Sequence, residues 1–283
     1  MFIDIHVHPA FFEPICHDAA KIELRHNSLN IHRNSPAPLE HIFNQMRCAK
    51  LDKLCLLPQD YTASDGRELV TNEEIHELVK LAPEQFIGFA SIDPRSEDCL
   101  TKLQKAFSEL DLKGLKLHPG RQKFYPGDTA LNPIYEMCEY YNKPVIFHSG
   151  MSWEPDAPAK YSRPIEFEEL AISHPKLRFC LAHMGWPWVK ETAMLLLKYR
   201  NVYADTALLH FDCAREFFTH IFTEEIPLSW IDRSLRNKIM FGSNNPRFEQ
   251  IRMVQAFELL GLRSSTVDLI MGKNAVDFLG GLD

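Results

Sequence analysis

The sequence predicts an α/β protein folded as a (β/α)8 barrel of the TIM type. Short apolar runs recur eight times along the 283-residue chain and alternate with longer amphipathic stretches. Parallel strands require crossover connections of this kind. Polar side chains, histidines above all, stand at or near the ends of these runs. In a barrel those ends converge on one face, where sites are built, so the barrel explains both observations.

Eight segments are predicted to be strands, and they are apolar along most of their length, as strands covered on both faces should be. They comprise residues 2–8, 52–58, 86–92, 114–118, 144–149, 177–183, 201–205 and 238–243. A doubly wound open sheet would show a similar alternation. Such a sheet would spread the polar strand ends along a line too long for one site, so the closed barrel is favoured.

Amphipathic patterns between the strands predict the helices. Apolar residues fall at helical spacing in 71–82, 96–110 and 248–261, and the last of these stops at a glycine. Thr71 followed by Glu74 predicts a capping box at the start of the first helix.

The composition excludes several classes of partner. Hydrophobic residues make up 45% and charged residues 24% of the chain, as in an ordinary soluble globular protein. A net charge of −7 argues against nucleic acid or an anionic membrane as the main partner. The amino terminus lacks the features of a signal peptide, and no apolar run is long enough to cross a bilayer. No low-complexity linker divides the chain, so residues 1–283 are expected to form a single barrel domain.

The cysteines indicate a reducing environment. There are seven, an odd number, and none shows the spacing of a zinc knuckle or a redox pair. Free thiols without a signal peptide predict a cytoplasmic protein.

Histidines at strand ends form the candidate metal site. His6 and His8 are two residues apart on a predicted strand, so both side chains point to the same side, which in a barrel is the interior. Two imidazoles on one face can begin a divalent metal site, although a lone His-x-His pair is weak evidence and two hydrogen-bonded buried histidines are the alternative. His148 and His183 each end a later apolar strand before a turn. The four histidines together indicate metal binding.

Seven motifs give the chain a family resemblance. In order along the sequence they are DIHVH (4–8), GLKLHPG (114–120), PVIFHSG (144–150), LAHMG (181–185), VYADTA (202–207), FGSNNP (241–246) and GKNAVDFL (272–279). This succession resembles the amidohydrolase superfamily, in the branch that includes aminocarboxymuconate-semialdehyde decarboxylase and related metal-dependent TIM-barrel hydrolases. The resemblance spans almost the whole chain and agrees with the barrel inferred above.

The resemblance also implies roles for the histidines. His6 and His8 correspond to metal ligands of the first strand, and His148 corresponds to the ligand of the fifth. His183, on the sixth strand, corresponds to a general acid or base that contacts a metal-bound water or the substrate. The implied cofactor is one divalent metal ion, first of all Zn²⁺, with Mn²⁺, Fe²⁺ or Co²⁺ as alternatives that ligand type does not separate. Such a site keeps an open position at which water is activated.

One position departs from the family pattern. The eighth strand of the family ends in FGSD-x-P, in which the Asp is a metal ligand and often the base for water, whereas this chain has Asn244. An amide oxygen can coordinate a metal, but it is neutral and takes no proton. Loss of a general base costs about 100- to 10,000-fold in rate. Three hypotheses stay open: a weaker hydrolase with His183 as its base, a different chemistry, or a site without activity.

Four further residues are predicted to contact the substrate or to order the site: Lys116, His118, Asp205 and Arg247. Lys116 lies on the fourth strand and either pairs with an acidic residue inside the barrel or binds an anion. His118 should point the same way and line the pocket. Arg247 either binds a substrate carboxylate or lies in solvent at the start of a helix. Asp205 ends the seventh strand and is expected to orient polar groups near the metal.

Two long connections follow strands of the predicted site. Residues 9–38 are long for a β–α connection, and they either form a lid or simply cover the barrel. Residues 151–164 follow His148 and either contribute Trp153 and Tyr161 to the same pocket or pass outside it.

These observations lead to a functional hypothesis. The chain is predicted to be a metal-dependent hydrolase that acts on a small molecule through a metal-activated water. A non-oxidative decarboxylase of the same branch is the alternative within the enzyme class. A catalytically impaired barrel that binds a small ligand is the alternative outside that class, and Asn244 is the feature that supports it. Relatives often form dimers, so a homodimer is a further expectation.

Overall fold

The computed structural model of the protein describes residues 1–207 and 210–282. Each of the eight predicted strands contains an observed strand, and we number these as barrel strands one to eight. In order they are Ile3–Val7, Lys53–Leu56, Phe86–Gly88 with its continuation Ala90–Ser91, Leu115–Leu117, Val145–Phe147, Phe179–Leu181, Val202–Asp205 and Ile239–Met240. The paired barrel strands are parallel, as predicted for strands joined by crossovers.

The third barrel strand links two ladders of the sheet. Its first half pairs with strand two, and its second half pairs with strand four. The residue between the halves is Phe89, whose N–H donates to the carbonyl of Leu56 at 3.0 Å. The next N–H, that of Ala90, donates to the carbonyl of Gly114 on the other side at 2.7 Å. The hydrogen bonding therefore passes through strand three without a gap.

The eighth strand closes the ring against the first. Ile5 donates its N–H to the carbonyl of Phe241 at 2.9 Å, and Asn244 donates its N–H to the carbonyl of His6 at 3.0 Å. These bonds bring the end of strand eight beside the end of strand one. The predicted fold class, an α/β protein of the TIM-barrel type, is confirmed.

The core has two buried clusters. One joins strand residues to the last helix, Asn274–Leu279; its members are Ile3, Ile5, Cys55, Leu57, Ile87, Phe89, Ile146, Cys180, Ala182, Met240, Ala275, Phe278 and Leu279. The other packs the remaining apolar strand residues against the surrounding helices. Burial on both faces explains why the strands appear in the sequence as nearly continuous apolar runs.

Helices surround the barrel, and the three predicted from periodicity are each observed, shortened by one to three residues at each end. The predicted capping box is present: Glu74 donates its N–H to the Thr71 hydroxyl at 3.0 Å, and Thr71 donates its N–H to the Glu74 carboxylate at 2.9 Å. The α-helices are Ala19–Leu29, Leu39–Cys48, Thr62–Asp65, Asn72–Leu81, Cys99–Ser108, Pro119–Gln122, Asn132–Tyr140, Glu168–Ser173, Val189–Lys198, Ala214–Thr219, Leu228–Ile231, Gln250–Glu258, Ser264–Asp268 and Asn274–Leu279.

An antiparallel hairpin that was not predicted follows the second barrel strand. Its strands, Gln59–Tyr61 and Arg67–Val70, flank the short helix Thr62–Asp65. With three and four residues, the two strands are too short for a two-residue periodicity to stand out.

A buried arginine ties the segment 9–38 to this hairpin. Arg25, on the helix Ala19–Leu29, is fully buried. Its Nε donates to the carbonyl of Leu69 at 2.7 Å, and its Nη2 lies 2.8 Å from Glu74 Oε1. The segment is therefore anchored by a charged group and not only by apolar packing.

Over residues 1–207 and 210–282, no helix combines the length and apolar character needed to cross a bilayer. The seven cysteines are free thiols. Cys55, Cys138 and Cys180 are buried, and the others are partly or fully exposed.

Candidate active site

A bulge in the first barrel strand sets the direction of its histidines. Asp4 lies opposite Leu54, and Val7 lies opposite Leu56, so strand one has one residue more than strand two over this stretch. A bulge of this kind bends a strand and redirects its side chains. His6 and His8 consequently both line the cavity at the mouth of the barrel.

In His6 and His8 the ring nitrogen that points away from the cavity, here called the outer nitrogen, is hydrogen-bonded to an oxygen acceptor. His6 Nδ1 lies 2.8 Å from Asp205 Oδ2, and His8 Nδ1 lies 3.1 Å from the carbonyl oxygen of Leu57. Carboxylate and carbonyl oxygens only accept, so both Nδ1 atoms carry the proton. Both Nε2 atoms are therefore unprotonated. Their lone pairs face each other, with an Nε2···Nε2 distance of 3.2 Å.

His148 and His183 form a second pair of the same kind. His183 Nδ1 lies 2.8 Å from the carbonyl oxygen of Ala207, and His148 Nε2 lies 3.2 Å from that of Met151. By the same reasoning these nitrogens carry the protons. The remaining nitrogens, His148 Nδ1 and His183 Nε2, are lone pairs that face each other at 3.2 Å.

The two pairs are neighbours and are uncharged. The rings of His6 and His183 have their centroids 5.0 Å apart. Burial lowers the pKa of His8 to about 3 and holds the pKa values of His6, His148 and His183 well below their ordinary range, with Lys116 adding to the effect in each case. Neutral imidazole is the form that binds metals.

This donor set fits a divalent cation. Two lone pairs at 3.2 Å repel each other unless a cation lies near both of them. Two nitrogen ligands at about 2.0–2.1 Å from a tetrahedral Zn²⁺ would stand about 3.3 Å apart, close to the 3.2 Å of both pairs. Imidazole nitrogen suits zinc and other first-row divalent ions.

The structure groups the candidate metal-binding side chains differently from the predicted triad of His6, His8 and His148. Among the described residues, the set of three whose ligand atoms all lie within 4.8 Å of one another is His6, His183 and Asp205. His183 thus stands between the first-strand pair and His148. The imidazoles present their lone pairs as two pairs, His6 with His8 and His148 with His183, and sequence patterns alone do not predict this pairing.

Asp205 orders this region through both of its carboxylate oxygens. Oδ2 accepts from His6 Nδ1, and Oδ1 accepts the backbone N–H groups of His183 at 2.8 Å and Ala207 at 3.0 Å. A carboxylate behind an imidazole fixes the tautomer and raises the basicity of the ligand. Asp205 therefore holds the His6 ring and the backbone at His183 and Ala207 in place, and its role beside a metal stays a prediction.

The backbone at His183 is held in an unusual conformation. His183 has φ 61° and Met184 has φ 51°, both in the left-handed region. For residues other than glycine this conformation costs roughly 1–2 kcal/mol each, and it persists where the surroundings impose it. Here the contacts with Asp205 and Ala207 impose it and turn the imidazole toward the cavity.

Asn244 also lies on a left-handed turn, with φ 62°. Asparagine tolerates this region better than most residues. The turn is fixed at Ser243, whose hydroxyl and N–H both donate to the buried carboxylate of Asp4. The Asn244 side chain lines the cavity with the histidines, at the position where the family pattern places a carboxylate.

Lys116 has no acidic partner among the described residues. Its side chain is 3% exposed, and its Nζ makes no hydrogen bond and has no carboxylate oxygen within 4.0 Å among the described residues. Burial lowers the pKa of Lys116 to about 8, against the opposing pull of Asp205. Of the two predicted alternatives, pairing inside the barrel is therefore not what the structure shows.

His118 differs from the other four imidazoles. Its Nδ1 accepts the backbone N–H of Arg121 at 3.2 Å, so the proton resides on Nε2. Nε2 lies 3.4 Å from the hydroxyl oxygen of Ser152. The ring stacks on His148 with a centroid separation of 3.9 Å. His118 thus presents an N–H donor, where the others present lone pairs.

The connections 9–38 and 151–164 both reach the cavity. Leu29 and Ile31 line it from the first, and Arg247 also lines it and donates from Nη2 to the carbonyl of Leu29 at 2.6 Å. Trp153 lines it from the second connection, whereas Tyr161 lies outside the wall.

The cavity itself is small, about 50 Å³. Its wall consists of His6, His8, Leu29, Ile31, Gln59, Lys116, His118, His148, Ser152, Trp153, Glu154, His183, Asn244, Pro246 and Arg247. Sequence reasoning missed Gln59, Ser152 and Glu154. The connection that carries Ser152 and Glu154 could be identified because it follows a strand that ends in histidine, but no feature of the sequence singles out these two residues.

Comparisons with known proteins agree with the barrel fold. A family model described as amidohydrolase matches residues 3–281. A search of curated proteins finds no match. Similar solved structures include an uncharacterised TIM-barrel protein from Bordetella bronchiseptica, with 20% identity, a TM-score of 0.78, and coverage of 99% of this chain and 98% of that one.

Two further solved structures carry names that describe an activity. A 5-carboxyvanillate decarboxylase from Sphingomonas paucimobilis has 16% identity and a TM-score of 0.69, and the match covers 99% of each chain. A 5-carboxyvanillate decarboxylase from Novosphingobium aromaticivorans, complexed with manganese and 4-hydroxy-3-methoxy-5-nitrobenzoic acid, has 16% identity and a TM-score of 0.60, with coverage of 85% of this chain and 79% of that one. At these identities the likeness shows the fold.

Proposed function

The chain belongs to the amidohydrolase family, and from that premise we propose that it is a metal-dependent carboxy-lyase that releases CO2 from a small unsaturated or aromatic acid. The observation that carries the proposal is the buried ammonium of Lys116, which has no acidic partner among the described residues. A buried, unpaired charge is costly, and a substrate carboxylate would compensate it.

The other polar groups of the cavity favour an anionic substrate too. His118 offers an N–H from Nε2, and the guanidinium of Arg247 lies in the same wall. The four remaining imidazoles are neutral, so the cavity is electropositive around Lys116. A buried ammonium such as that of Lys116, with N–H donors near it, is a feature that binds a carboxylate.

Asn244 favours loss of CO2 over hydrolysis. Hydrolysis needs a base for water, and the amide at this position takes no proton. Cleavage of a carbon–carbon bond to a carboxylate requires no water to be deprotonated. The similar decarboxylase structures support this choice of chemistry.

Metal binding is part of the proposal. His6, His8 and His148 would hold the ion, with His183 beside them as a further nitrogen donor or a proton acceptor. A bound Zn²⁺ or Mn²⁺ would supply a Lewis acid that stabilises negative charge on substrate oxygens. Neutral nitrogen ligands suit zinc, whereas manganese is the ion in a similar structure.

The protein groups orient the substrate and exclude water. Lys116 and His118 would fix the carboxylate, and the planar stack of His118 on His148 would lie against a flat carbon framework. At about 50 Å³ the cavity is too small for an aromatic acid as it stands. We therefore propose that the segment 9–38 moves with the connection 151–164 to admit the substrate. We also propose that residues 1–283 act as one barrel domain.

A hydrolase is the second candidate, and one observation favours it. His183 Nε2 is a lone pair directed at the cavity, and its Nδ1–H is fixed on Ala207. An imidazole in this state can take a proton from water. A barrel that binds a ligand without turnover is the third candidate, and the same experiment distinguishes it from the carboxy-lyase and the hydrolase.

The test is an assay of purified protein supplied with Zn²⁺ or Mn²⁺. Hydroxybenzoates and unsaturated dicarboxylates are screened for CO2 release, and lactones and amides for hydrolysis. We expect CO2 release, and we expect Lys116→Met to raise KM at least about tenfold, because a charge-assisted hydrogen bond contributes about 1.5–3 kcal/mol. Lys113→Met, which removes an exposed lysine paired with Asp111, should leave KM unchanged.

The other outcomes separate the candidates. Hydrolysis without CO2 release would replace the proposal with the second candidate. Metal binding without any turnover would indicate a ligand-binding barrel.

A further inference from the structure

A histidine behind the cavity wall shares an acceptor with His148. His210 lies on the connection that follows the seventh strand, and its Nε2 lies 2.9 Å from the carbonyl oxygen of Met151. The same oxygen lies 3.2 Å from His148 Nε2. A carbonyl oxygen has two lone pairs and only accepts, so both imidazoles carry a proton on Nε2 and both donate to Met151.

Packing and burial fix the state of the His210 ring. The ring contacts the indoles of Trp153 and Trp186, and each pair of centroids is 5.0 Å apart. Burial lowers the pKa of His210, and its Nδ1 has no hydrogen-bond partner in the part of the chain that the structure describes. A proton on Nδ1 would be a buried donor without an acceptor, which is costly. The ring is therefore neutral and donates only from Nε2.

The two donors hold the Met151 carbonyl oxygen in competition with water. Met151 and Ser152, which share this peptide group, are only partly buried, and Trp153 is exposed. The bond from His210 is the shorter of the two. Without it, the peptide group is free to turn the oxygen towards solvent, and His148 then loses its acceptor.

A second tautomer of His148 competes with the one that can bind a metal. When Met151 offers no acceptor, the proton of His148 can move to Nδ1, which faces the lone pair of His183 Nε2 at 3.2 Å. In the metal-free protein this exchange replaces the repulsion of two lone pairs by a hydrogen bond. Both nitrogens are then engaged with each other. The acceptor behind His148 therefore decides whether the second pair of histidines can receive an ion.

We propose that His210 is a positioning residue of the metal site, which holds the Met151 carbonyl behind His148 and so keeps the Nδ1 lone pair of His148 available to the ion. This inference rests on the metal binding that is part of the proposed function. The same connection holds the other member of the pair, because the carbonyl of Ala207 accepts from His183 Nδ1. One connection thus sets the tautomers of both histidines.

Two substitutions separate the hydrogen bond of His210 from its packing. His210→Phe keeps an aromatic ring beside the two indoles and removes the donor. His210→Gln removes the ring and places an amide N–H near the position of Nε2. We expect His210→Phe to raise the Kd for Zn²⁺, measured by competition with a chromogenic chelator, about 10- to 100-fold. We expect His210→Gln to bind Zn²⁺ nearly as tightly as the wild type.

A histidine elsewhere on the barrel provides the matched control. His76, on the helix Asn72–Leu81, is also partly buried and also donates to a backbone carbonyl, that of Leu110, at 2.9 Å. His76→Phe therefore removes the same kind of hydrogen bond away from the cavity. It should leave the Kd for Zn²⁺ unchanged.

The tautomer of His148 can be observed directly through the ¹⁵N chemical shifts of its ring in metal-free protein. We expect a protonated Nε2 in the wild type and in His210→Gln, and a transfer of the proton towards Nδ1 in His210→Phe. Ring shifts of His148 that stay the same in His210→Phe would overturn the proposal. A Kd that rises in His210→Gln but not in His210→Phe would also overturn it, because His210 would then act by packing.

The two measurements also separate this inference from the function on which it rests. If the wild type binds no Zn²⁺, the proposed metal binding fails, and the ring shifts of His148 in His210→Phe still decide whether His210 sets its tautomer. If the wild type binds Zn²⁺ but releases no CO2, the carboxy-lyase function fails. The Kd values of the two variants then decide the role of His210.

Discussion

At the scale of single residues, the outer hydrogen bond of each imidazole decides what its inner nitrogen can do. Four rings have the outer nitrogen held by a carboxylate or a carbonyl, so they direct lone pairs inward. His118 accepts a backbone N–H instead and directs a donor. One residue type thereby presents either a lone pair or an N–H donor to the cavity, according to its neighbour.

Lys116→Met should stabilise the metal-free protein at neutral pH. Burial lowers the pKa of Lys116 from 10.5 to about 8, so between these values the unfolded chain binds more protons than the folded one. The buried charge of Lys116 therefore destabilises the folded protein to its full extent below about pH 8. This destabilisation decreases as the pH rises towards 10.5. We expect the variant to gain up to about 3 kcal/mol in free energy of unfolding at pH 7, measured by urea denaturation.

The pH dependence is the control for this prediction. The advantage of Lys116→Met over the wild type should shrink steadily from pH 8 to pH 10. An advantage that does not change with pH would indicate better packing and not the removal of a buried charge. A variant less stable than the wild type would contradict the account.

The sequence predicted the histidines of the site better than their surroundings. Histidines that end apolar strands stand out in a sequence, and the barrel geometry then brings them together. The state of Lys116 could not be predicted, because pairing and isolation depend on where distant carboxylates fall. Glu154 was missed because nothing within its connection marks one acidic residue above another.

At the scale of elements, the strands were predictable and the irregularities were not. All eight strands could be located because burial on both faces leaves apolar runs in the sequence. The bulge between Asp4 and Val7 shows only in the pairing with strand two. The hairpin of Gln59–Tyr61 and Arg67–Val70 depends on contacts with Arg25 on the segment 9–38, which sequence periodicity does not report.

Arg25→Met should loosen the cover of the cavity. The buried guanidinium donates to the carbonyls of Ala10 and Leu69 and to Glu74. Removing it takes the arginine donor from these carbonyls, while Glu74 keeps its contacts with Lys21 and Thr71, so we expect a loss of about 1–3 kcal/mol. Hydrogen–deuterium exchange should rise first in residues 9–38 and in the hairpin, before the barrel strands exchange.

An exposed arginine in the same segment provides the matched control. Arg33→Met removes a side chain that lies in solvent and should change stability by less than about 0.5 kcal/mol. Equal exchange in both variants would mean that Arg25 does not anchor the segment.

At the scale of the whole molecule, closure of the sheet is what makes a single site possible. His6 and His183 are far apart in the chain, and their rings lie 5.0 Å apart because strands one and six open onto the same face. The order of the strands around the ring follows the order in the sequence. Once eight strands were counted, it could therefore be predicted that the polar residues at their ends lie on one face. Which histidine side chains lie close to each other on that face depends on the three-dimensional structure and could not be predicted.

Metal removal should destabilise the whole barrel without unfolding it. A cation that binds the folded chain about 100-fold above its Kd contributes about 2.7 kcal/mol, which corresponds to roughly 5–10 °C in Tm for a chain of this size. We expect protein treated with a chelator to melt earlier by this amount and to recover when Zn²⁺ or Mn²⁺ is added. A Tm indifferent to both treatments would show that the lone pairs of the cavity bind no ion.

The most direct test of the account is elemental analysis of protein purified without chelator, for the wild type, His6→Ala and the exposed-histidine control His41→Ala. We predict about one divalent ion per chain in the wild type and in His41→Ala, and at most a small fraction of that in His6→Ala. A wild type that holds no ion after incubation with zinc or manganese, or a His6→Ala variant that holds as much as the control, would contradict the metal site on which the proposed chemistry depends.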